Sequence, residues 1–407
     1  MTRYLPTQNW PIRLLSLLSL SLASLSWAHD SEHGTIPAEP GWQLGAALGV
    51  AYSDAQYPAQ PVSGVLGTGD VPHDGQGWRL EHGAVNAGVR INDWLGAEVG
   101  VGWHDQDEMH WESAWLQIEP HWQGQDLTLG LGRNSVPIGA VWQQAGHLDR
   151  FMLMPLVKQA FLGGDWIANG GQLSWRGDTG SWHSGITLSA WRQTEYPLGQ
   201  ESGTFPVLQL ETRNADWQIS VFASRLSSTQ RQSSAQQTSA GHSHDSSSCA
   251  PVKRNVVCYA GDTDLLGASL AWQSPWPALS IRAAGAWRQE RGTLRSSTSE
   301  AAYDSRSWGG WLEPRWQFTP QWEIAARYEW LQGNNELRGY AAQLLAQQAR
   351  LSPNEGGERY SLMLGWRPHR STLIALEAGQ EQHHGQDNRY LALRASWQLA
   401  DLWHGSW

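Results

Sequence analysis

The sequence predicts an all-β fold, a transmembrane antiparallel up-and-down β-barrel of about 16 strands with long external loops. Three observations predict this fold: segments that alternate apolar and polar residues, charged residues within the polar face of those segments, and connections that alternate between tight turns and long loops. The composition agrees with a barrel. The 407 residues include 43 Gly and 27 Trp but only 16% charged residues, which is unusual for a soluble α/β enzyme.

The alternation recurs along the whole chain. In the first segment Leu44, Ala46 and Leu48 share one face, and Gly45 and Ala47 share the other. A segment of about ten residues is long enough to cross a bilayer as a tilted strand. The expected strands cover residues 42–52, 79–91, 94–103, 111–118, 126–133, 168–176, 182–191, 205–212, 216–226, 264–273, 278–288, 306–318, 321–331, 358–367, 371–381 and 389–399.

Charged side chains lie within the polar face of these segments, and we expect them to face the lumen. They are Glu98, Arg282, Arg315, Glu323, Arg327, Glu377 and Arg394. The dry core of a β-sandwich could not hold such charges unpaired, whereas a water-filled lumen can. Acids and bases occur in similar number, which favours pairing along the wall over a dedicated anion pathway, and both interpretations stay open.

The connections alternate in length. A tight turn follows every even strand, as at Asn92-Asp93 and Thr319-Pro320, where turn-forming residues occur. A longer connection follows every odd strand, and these cover residues 53–78, 104–110, 134–167, 192–204, 227–263, 289–305, 332–357 and 382–388. Short periplasmic turns, long external loops and an even strand number are typical of outer-membrane barrels.

The N-terminus has the pattern of an export signal. Arg3 and Arg13 flank the start of an apolar run at 14–25, and small residues at Ser26 and Ala28 suit a cleavage site. We therefore expect a signal peptide at 1–28 and an outer-membrane β-barrel at 29–407, in the cell outer membrane of a Gram-negative bacterium. The alternative is an uncleaved membrane anchor.

Export also bears on the two cysteines of the chain. Cys249 and Cys258 would reach an oxidising compartment, where their close spacing predicts a disulfide that closes one loop.

The connection 134–167 is too apolar to extend into solvent, since it contains a run of large apolar residues around Phe151 and Phe161. We expect this loop to fold into the barrel and narrow the pore. The alternative is a short helix that packs on the external loops. Inside the barrel, the charged groups nearest the constriction would be His147, Asp149, Arg150 and Lys158. Opposing charges at such a position set a transverse field that biases ion passage.

The candidate metal site is in the His- and Ser-rich external loop 227–263. His242 and His244 project to one side of an extended chain, with Asp245 next to them, and imidazole and carboxylate ligands suit Zn²⁺. The alternative is a polar loop whose histidines are incidental. Apart from Zn²⁺ at this loop, we expect no cofactor.

The segment 132–175 resembles Gram-negative porin-like barrels, a group labelled zinc-regulated or TonB-dependent-receptor-like outer-membrane proteins. The residues that carry the resemblance are Gly132-Arg133-Asn134, Pro137-Ile138-Gly139, Phe161-Leu162-Gly163-Gly164-Asp165 and Gly171-Gln172-Leu173-Ser174-Trp175. The tail Trp403–Trp407 is similar to the aromatic end of that group. The resemblance implies an outer-membrane location and a part in metal or small-solute uptake, without catalytic residues. A TonB-dependent receptor needs about 22 strands around a plug, more than this chain provides.

The predicted function is an outer-membrane porin-like channel for small solutes or ions, with divalent metal (zinc) as one candidate cargo. A second hypothesis is a surface binding or adhesion barrel with an occluded lumen. A third is an outer-membrane hydrolase, but no compact nucleophile–base motif is present, so we expect no enzyme activity.

The expected partners follow from the predicted fold. They are the lipid bilayer and lipopolysaccharide, the barrel assembly machinery through Trp407, small solutes or divalent metal ions, and further copies of the chain in a homotrimer. The net charge of −10 and the lack of basic clusters in the sequence exclude nucleic acid as an expected partner.

Overall fold

The computed structural model describes residues 36–54, 76–103, 109–122, 125–193, 203–232, 249, 256–275, 278–383 and 386–406. The predicted signal peptide, the candidate metal ligands His242, His244 and Asp245, and the terminal Trp407 lie outside the described residues. Within the described part of the chain, no helix combines the length and the apolar character needed to span a bilayer.

The described strands form one antiparallel sheet. They are β1 (Gly41–Ser53), β2 (Gly77–Asn92), β3 (Leu95–Trp103), β4 (His110–Ile118), β5 (His121–Trp122), β6 (Gln125–Ser135), β7 (Ile167–Thr179), β8 (Trp182–Gln193), β9 (Gly203–Arg213), β10 (Trp217–Gln232), β11 (Cys258–Gln273), β12 (Leu279–Arg295), β13 (Glu300–Gln317), β14 (Trp322–Arg338), β15 (Asn354–His369), β16 (Thr372–His383) and β17 (Gln386–Ser406).

The sheet closes into a barrel, because β1 pairs with β2 on one side and with β17 on the other. The ring runs from β4 directly to β6. The two-residue β5 lies outside the ring and pairs with the start of β6. The ring therefore has sixteen strands, and the predicted fold class is confirmed. Each of the predicted strands overlaps one strand of the ring.

The strands after β10 extend further than their alternation indicates. The predicted loop 289–305 is mostly strand, since β12 continues to Arg295 and β13 begins at Glu300, directly opposite. The reason is that the apolar face ends where the wall leaves the bilayer, while the backbone ladder continues. Polar residues such as Arg291 and Asp304 pair across this outer part of the wall, so no apolar signal marks it.

The distribution of side chains is inverted relative to a soluble protein. Apolar residues on the outer face are exposed, with Leu188 at 56% and Leu362 at 52%. Charged residues on the inner face are buried, with Arg327 at 2% and Glu329 at 0%. An exposed apolar band around a closed barrel fits the hydrocarbon layer of a membrane.

Within the described residues, three short helices lie in the connections between strands. Helices α1 (Ala140–Gln144) and α2 (Leu156–Leu162) lie between β6 and β7. Helix α3 (Ala342–Gln348) lies between β14 and β15. The connection with two helices is the one that the sequence predicts to enter the barrel.

We expect a Leu188→Lys substitution to lower the free energy of unfolding by about 2–4 kcal/mol, because it places a charge in the middle of the lipid-facing band. Leu188 pairs with Leu173 and Leu208, both also exposed to lipid. The matched control is Thr187→Lys, whose side chain points to the lumen. Urea titration of the folded protein in vesicles measures both, and equal losses would contradict the assignment of the two faces.

Candidate functional site

The connection 136–166, called the inner loop below, lies inside the barrel. At one side of the lumen the Trp142 ring packs edge-on against Trp311 of β13, with the ring centroids 4.7 Å apart, and against Phe222 of β10 at 5.8 Å. At the other side Leu148 packs against Gly49 of β1, where a β-carbon would collide with the leucine side chain. Strands β1 and β10 are eight positions apart in the ring, so the inner loop crosses the full width of the lumen.

Apolar packing holds the two helical parts of the inner loop. Buried residues of the loop form one cluster with inward-facing residues of the wall: Val136, Ile138, Val141, Trp142, Leu156, Val157, Phe161, Leu162 and Trp166 pack with Trp191, Phe205, Val207, Phe222 and Leu265. The Trp166 ring stacks on Phe205 with the centroids 5.1 Å apart. The alternation of the sequence indicated this apolar part of the wall, because Phe205 and Val207 occupy strand positions whose side chains point inward.

Helix α2 ends at a glycine that the turn requires. Gly163 has a φ of 69°, and its N–H bonds to the carbonyl oxygens of Lys158 and Gln159. Glycine adopts this left-handed conformation without steric cost. The chain then reverses toward Asp165 and the start of β7.

Two acids and two arginines form an ion cluster between the inner loop and the wall. Arg282 of β12 donates from Nη2 to both carboxylate oxygens of Asp149, at 2.8 and 2.9 Å, and to Glu313 of β13 at 2.6 Å. Arg150 donates to the same Glu313 oxygen at 2.8 Å. The predicted constriction residues Asp149 and Arg150 thus contact each other through Arg282 and Glu313.

The charges of the two loop residues in this cluster persist at neutral pH. Burial opposes ionisation of Asp149, but the Arg282 and Arg150 guanidinium groups outweigh it and hold the pKa of that carboxyl well below its usual range. Burial, together with Arg282 and Arg315, lowers the pKa of Arg150 to about 10. Arg150 is therefore still protonated at neutral pH.

Wall side chains also bind the backbone of the inner loop, an arrangement called the clamp below. Arginines donate to loop carbonyl oxygens: Arg394 to Phe151, Arg327 to Leu153, Arg359 to Met154 and Arg288 to Ala160. Glutamates accept from loop N–H groups: Glu377 from Met152 at 2.7 Å and Glu329 from Leu156 at 2.6 Å. The clamp supplies hydrogen bonds that an irregular segment at membrane depth would otherwise lack.

The clamp corrects one expectation about the lumen-facing charges. Arg282, Glu323, Arg327, Glu377 and Arg394 do face inward, but each is at most 7% exposed. They are not solvated by a water-filled lumen. Arg282, Arg327, Glu377 and Arg394 bind the inner loop instead, and Glu323 binds arginines of the wall. Glu98 on β3 remains half-buried.

A smaller ion cluster lies toward the tight-turn end of the barrel. Arg315 donates to Glu323 at 2.6 Å, and Arg367 donates to the same carboxylate at 3.2 Å. These inward-facing charges pair along the wall.

The other two predicted constriction residues lie at the opposite side of the inner loop. Lys158 is fully buried and its Nζ lies 2.5 Å from Oδ1 of Asp165, which joins α2 to the end of the loop. His147 stacks on His82 of β2, with the ring centroids 5.1 Å apart and the planes 6° from parallel. Lys158 is therefore a structural cation of the loop.

Sequence reasoning missed several residues that bind the loop. They are His82, which stacks on His147, Glu313, which accepts from Arg150, and Arg359, which donates to the carbonyl oxygen of Met154. Glu81 and Glu112 were missed as well, and they pair with the wall residues Arg394 and His82. Glu313 and Arg359 occupy inward-facing strand positions that alternation could have indicated, but alternation does not reveal which loop residue each one contacts. Alternation could not have indicated both Glu81 and His82, because they are adjacent and lie at a register shift between β1 and β2.

The predicted disulfide partners are joined in the structure, with the Cα atoms of Cys249 and Cys258 5.9 Å apart. Among the described residues, no group of three or more His, Cys, Asp or Glu side chains is arranged to hold a metal ion. The candidate ligands His242, His244 and Asp245 are outside that part of the chain.

Comparison with known proteins finds similarity in structure but not in sequence. No protein-family model matches the chain, and no curated protein matches it. A loop-deletion mutant of OmpT, an outer-membrane protein of Vibrio cholerae, superposes with a TM-score of 0.53 at 9% identity, covering 89% of this chain and 100% of that one. The fold is that of outer-membrane porins and channels.

Two further structures support that fold. The anion-selective porin from Comamonas acidovorans has a TM-score of 0.50 at 8% identity, covering 88% of this chain and 99% of that one. OmpF of Salmonella typhi in complex with daunomycin has a TM-score of 0.51 at 10% identity, covering 88% and 97%. Together with the exposed apolar band, this fold places the barrel in the outer membrane.

We expect Arg282→Gln to destabilise the protein by about 3–5 kcal/mol, because the carboxylates of Asp149 and Glu313 stay buried but lose a cationic partner. The matched control is Arg225→Gln. Arg225 also pairs with a carboxylate, Asp262 at 2.7 Å, but its side chain is 61% exposed, so the control should change stability little. Denaturant unfolding measures both, and a tolerated Arg282→Gln would argue against the ion cluster as an anchor of the loop.

Proposed function

We propose that the protein is a porin-like outer-membrane channel for small polar or ionic solutes, and that the inner loop closes the channel in the conformation described here. The observation that carries this proposal is the clamp. Side chains of the wall, rather than a continuous backbone ladder, hold residues 151–160 of the loop. Such contacts can break without disturbing the ring of strands.

The size of the ring supports a channel. A barrel of about sixteen strands encloses more space than its own side chains fill. Here the inner loop occupies the surplus, and the inward-facing side chains that it leaves half-buried are polar, among them Glu98, Gln117, Gln172, Thr187 and Arg315. When the loop moves aside, the path that remains is lined by hydrogen-bonding groups, which suits polar solutes and excludes apolar ones.

A specific observation also favours the second candidate function, a surface binding barrel with an occluded lumen. The apolar side chains of the inner loop are buried, with Trp142 and Val157 at 0% exposed. This candidate requires that the loop never leaves the lumen, so measurement of conductance separates the two proposals. We assign neither candidate an enzymatic activity.

The partners remain part of the proposal. OmpT of Vibrio cholerae, which has a TM-score of 0.52 at 9% identity over 89% of this chain, is described in a trimer form, and we propose a homotrimer by analogy. Contacts with lipopolysaccharide at the outer band, and with the assembly machinery at Trp407, are proposed on the fold alone.

We expect replacement of residues 140–162 by a short Gly-Ser linker to give a barrel that conducts steadily in planar bilayers, because the deletion removes the obstruction but no strand. The intact protein should be closed for most of the recording. If the shortened barrel folds but carries no current, the channel proposal fails and the occluded binding barrel is favoured.

A point substitution gives a finer test. Arg150→Ala should alter conductance or ion preference, because Arg150 shares Glu313 with Arg282 and its loss loosens the ion cluster. The matched control is Arg389→Ala, since that side chain is 77% exposed at the outer rim. Unchanged currents in Arg150→Ala would count against a gating role for the cluster.

We propose divalent metal as one cargo, on the ligand types of the external loop. If His242 and His244 capture Zn²⁺, added Zn²⁺ should change the single-channel current or the melting temperature of the intact protein. The double variant His242→Ala/His244→Ala should not respond. An identical response of both proteins would remove the metal from the proposal.

A further inference from the structure

Two histidine rings meet where the inner loop touches the wall. His147 belongs to the loop and His82 to β2, and their rings are stacked almost parallel with the centroids 5.1 Å apart. His82 is buried at 1% exposed, and the side chain of His147 is 30% exposed. Stacking of this kind suits neutral imidazoles, since two positively charged rings at this distance repel each other.

The charged groups around His147 come from the loop itself and from two strands of the wall. The loop contributes Lys158 and Asp165, strand β2 contributes Glu81, and strand β4 contributes His110. Two of these acids already have cationic partners: Asp165 pairs with Lys158 at 2.5 Å, and Glu81 pairs with Arg394 at 3.3 Å.

Glu112 of β4 is the third carboxylate near the stacked histidine pair. It lies 3.3 Å from His82 and 3.7 Å from His110, so two wall imidazoles share it, and Arg133 also acts on it. When a second proton binds the stacked pair, the three nearby carboxylates already have cations or imidazoles as partners.

We propose that the stacked pair His82–His147 is a proton-operated latch, which holds the inner loop closed at neutral pH and releases it when both rings are protonated. The proposal deepens the channel function and rests on it, because it names the regulation of the same loop. The stimulus is acidification of the medium that bathes the loop end of the barrel.

The direction of the effect follows from linkage. Burial lowers the pKa of His147 below its usual value, while Asp165 and Glu81 partly oppose that shift. Once the loop is released into water, the imidazole regains an ordinary pKa of about 6.5. The released loop therefore binds protons more readily than the docked loop, so falling pH favours release and rising pH favours closure.

The backbone next to the pair is suited to movement. Leu148, which follows His147, has a φ of 60°, a left-handed conformation that a leucine adopts only under steric strain. Gly146 precedes the histidine. Release of the loop would relieve this strain, so the strained residue lies beside the contact that the proton breaks.

Planar-bilayer recording at about pH 7.5 and about pH 5 tests the latch, since imidazole titrates between these values. We expect the ratio of open to closed time to rise at the lower pH, by roughly tenfold if docking lowers the pKa by one unit and by at most about thirtyfold, because the released imidazole has an ordinary pKa of about 6.5. His147→Phe keeps a ring on His82 but cannot take a proton, so its current should no longer respond to pH. The control His183→Gln removes a histidine whose side chain is 57% exposed near a tight turn, and it should keep the response.

A labelling experiment tests the latch without conductance. Leu148 is 2% exposed, so a Leu148→Cys variant should react with a membrane-impermeant maleimide faster at the lower pH. The rate is normalised to that of Ser181→Cys, an exposed residue of a tight turn. This normalisation removes the effect of pH on the thiol itself.

The outcomes separate the latch from the channel. If the barrel without residues 140–162 conducts, but the intact protein shows neither a pH-dependent current nor pH-dependent labelling, the latch is overturned and the channel stands. If the shortened barrel carries no current, the channel falls, and the labelling rate alone decides whether protons release the loop. A pH response retained in His147→Phe also overturns the latch.

Discussion

The structure depends on one requirement: an irregular stretch of backbone lies at membrane depth, and its polar groups must be satisfied by protein. The clamp meets that requirement from the wall. Arg394, Arg327 and Arg359 bind three carbonyl oxygens within residues 151–154 of the loop, and Glu377 binds the N–H group of residue 152 between them. Each charge therefore serves both as a lining group of the barrel and as a substitute for water on the loop.

This requirement also explains which cations the lumen contains. Arginine presents several donors in a fixed plane and can bind a carboxylate and a carbonyl oxygen at the same time. Arg327 does so with Glu329 and Leu153. A lysine ammonium offers no such planar fork, and the chain has only two lysines, Lys158 and Lys253. Lys158 binds a single carboxylate at the end of the loop, where a point charge is sufficient.

The sequence predicted the ring well because each strand reports its own orientation through alternation. Leu188 and Leu208 lie on the lipid face where the pattern put them. The apolar run around Phe161 likewise indicated a buried loop. The sequence could not predict which wall residue pairs with which loop residue. Arg282 and Asp149 are 133 positions apart, and an inward-facing strand position does not identify its partner in the loop. The stacking of His82 on His147 depends on the path of the loop, which no local pattern encodes.

The strands differ greatly in length around the ring. Strands β3 and β4 have nine residues each, whereas β13 has eighteen. At about 3.3 Å per residue, the described part of the wall is roughly twice as tall at β13 as at β3 and β4. Among the described residues, the ladder of strands is therefore short at β3 and β4 and long on the opposite side of the ring. His110 and Glu112 lie at the start of β4, so the carboxylate beside the proposed latch is on the side of the ring where the described wall is shortest.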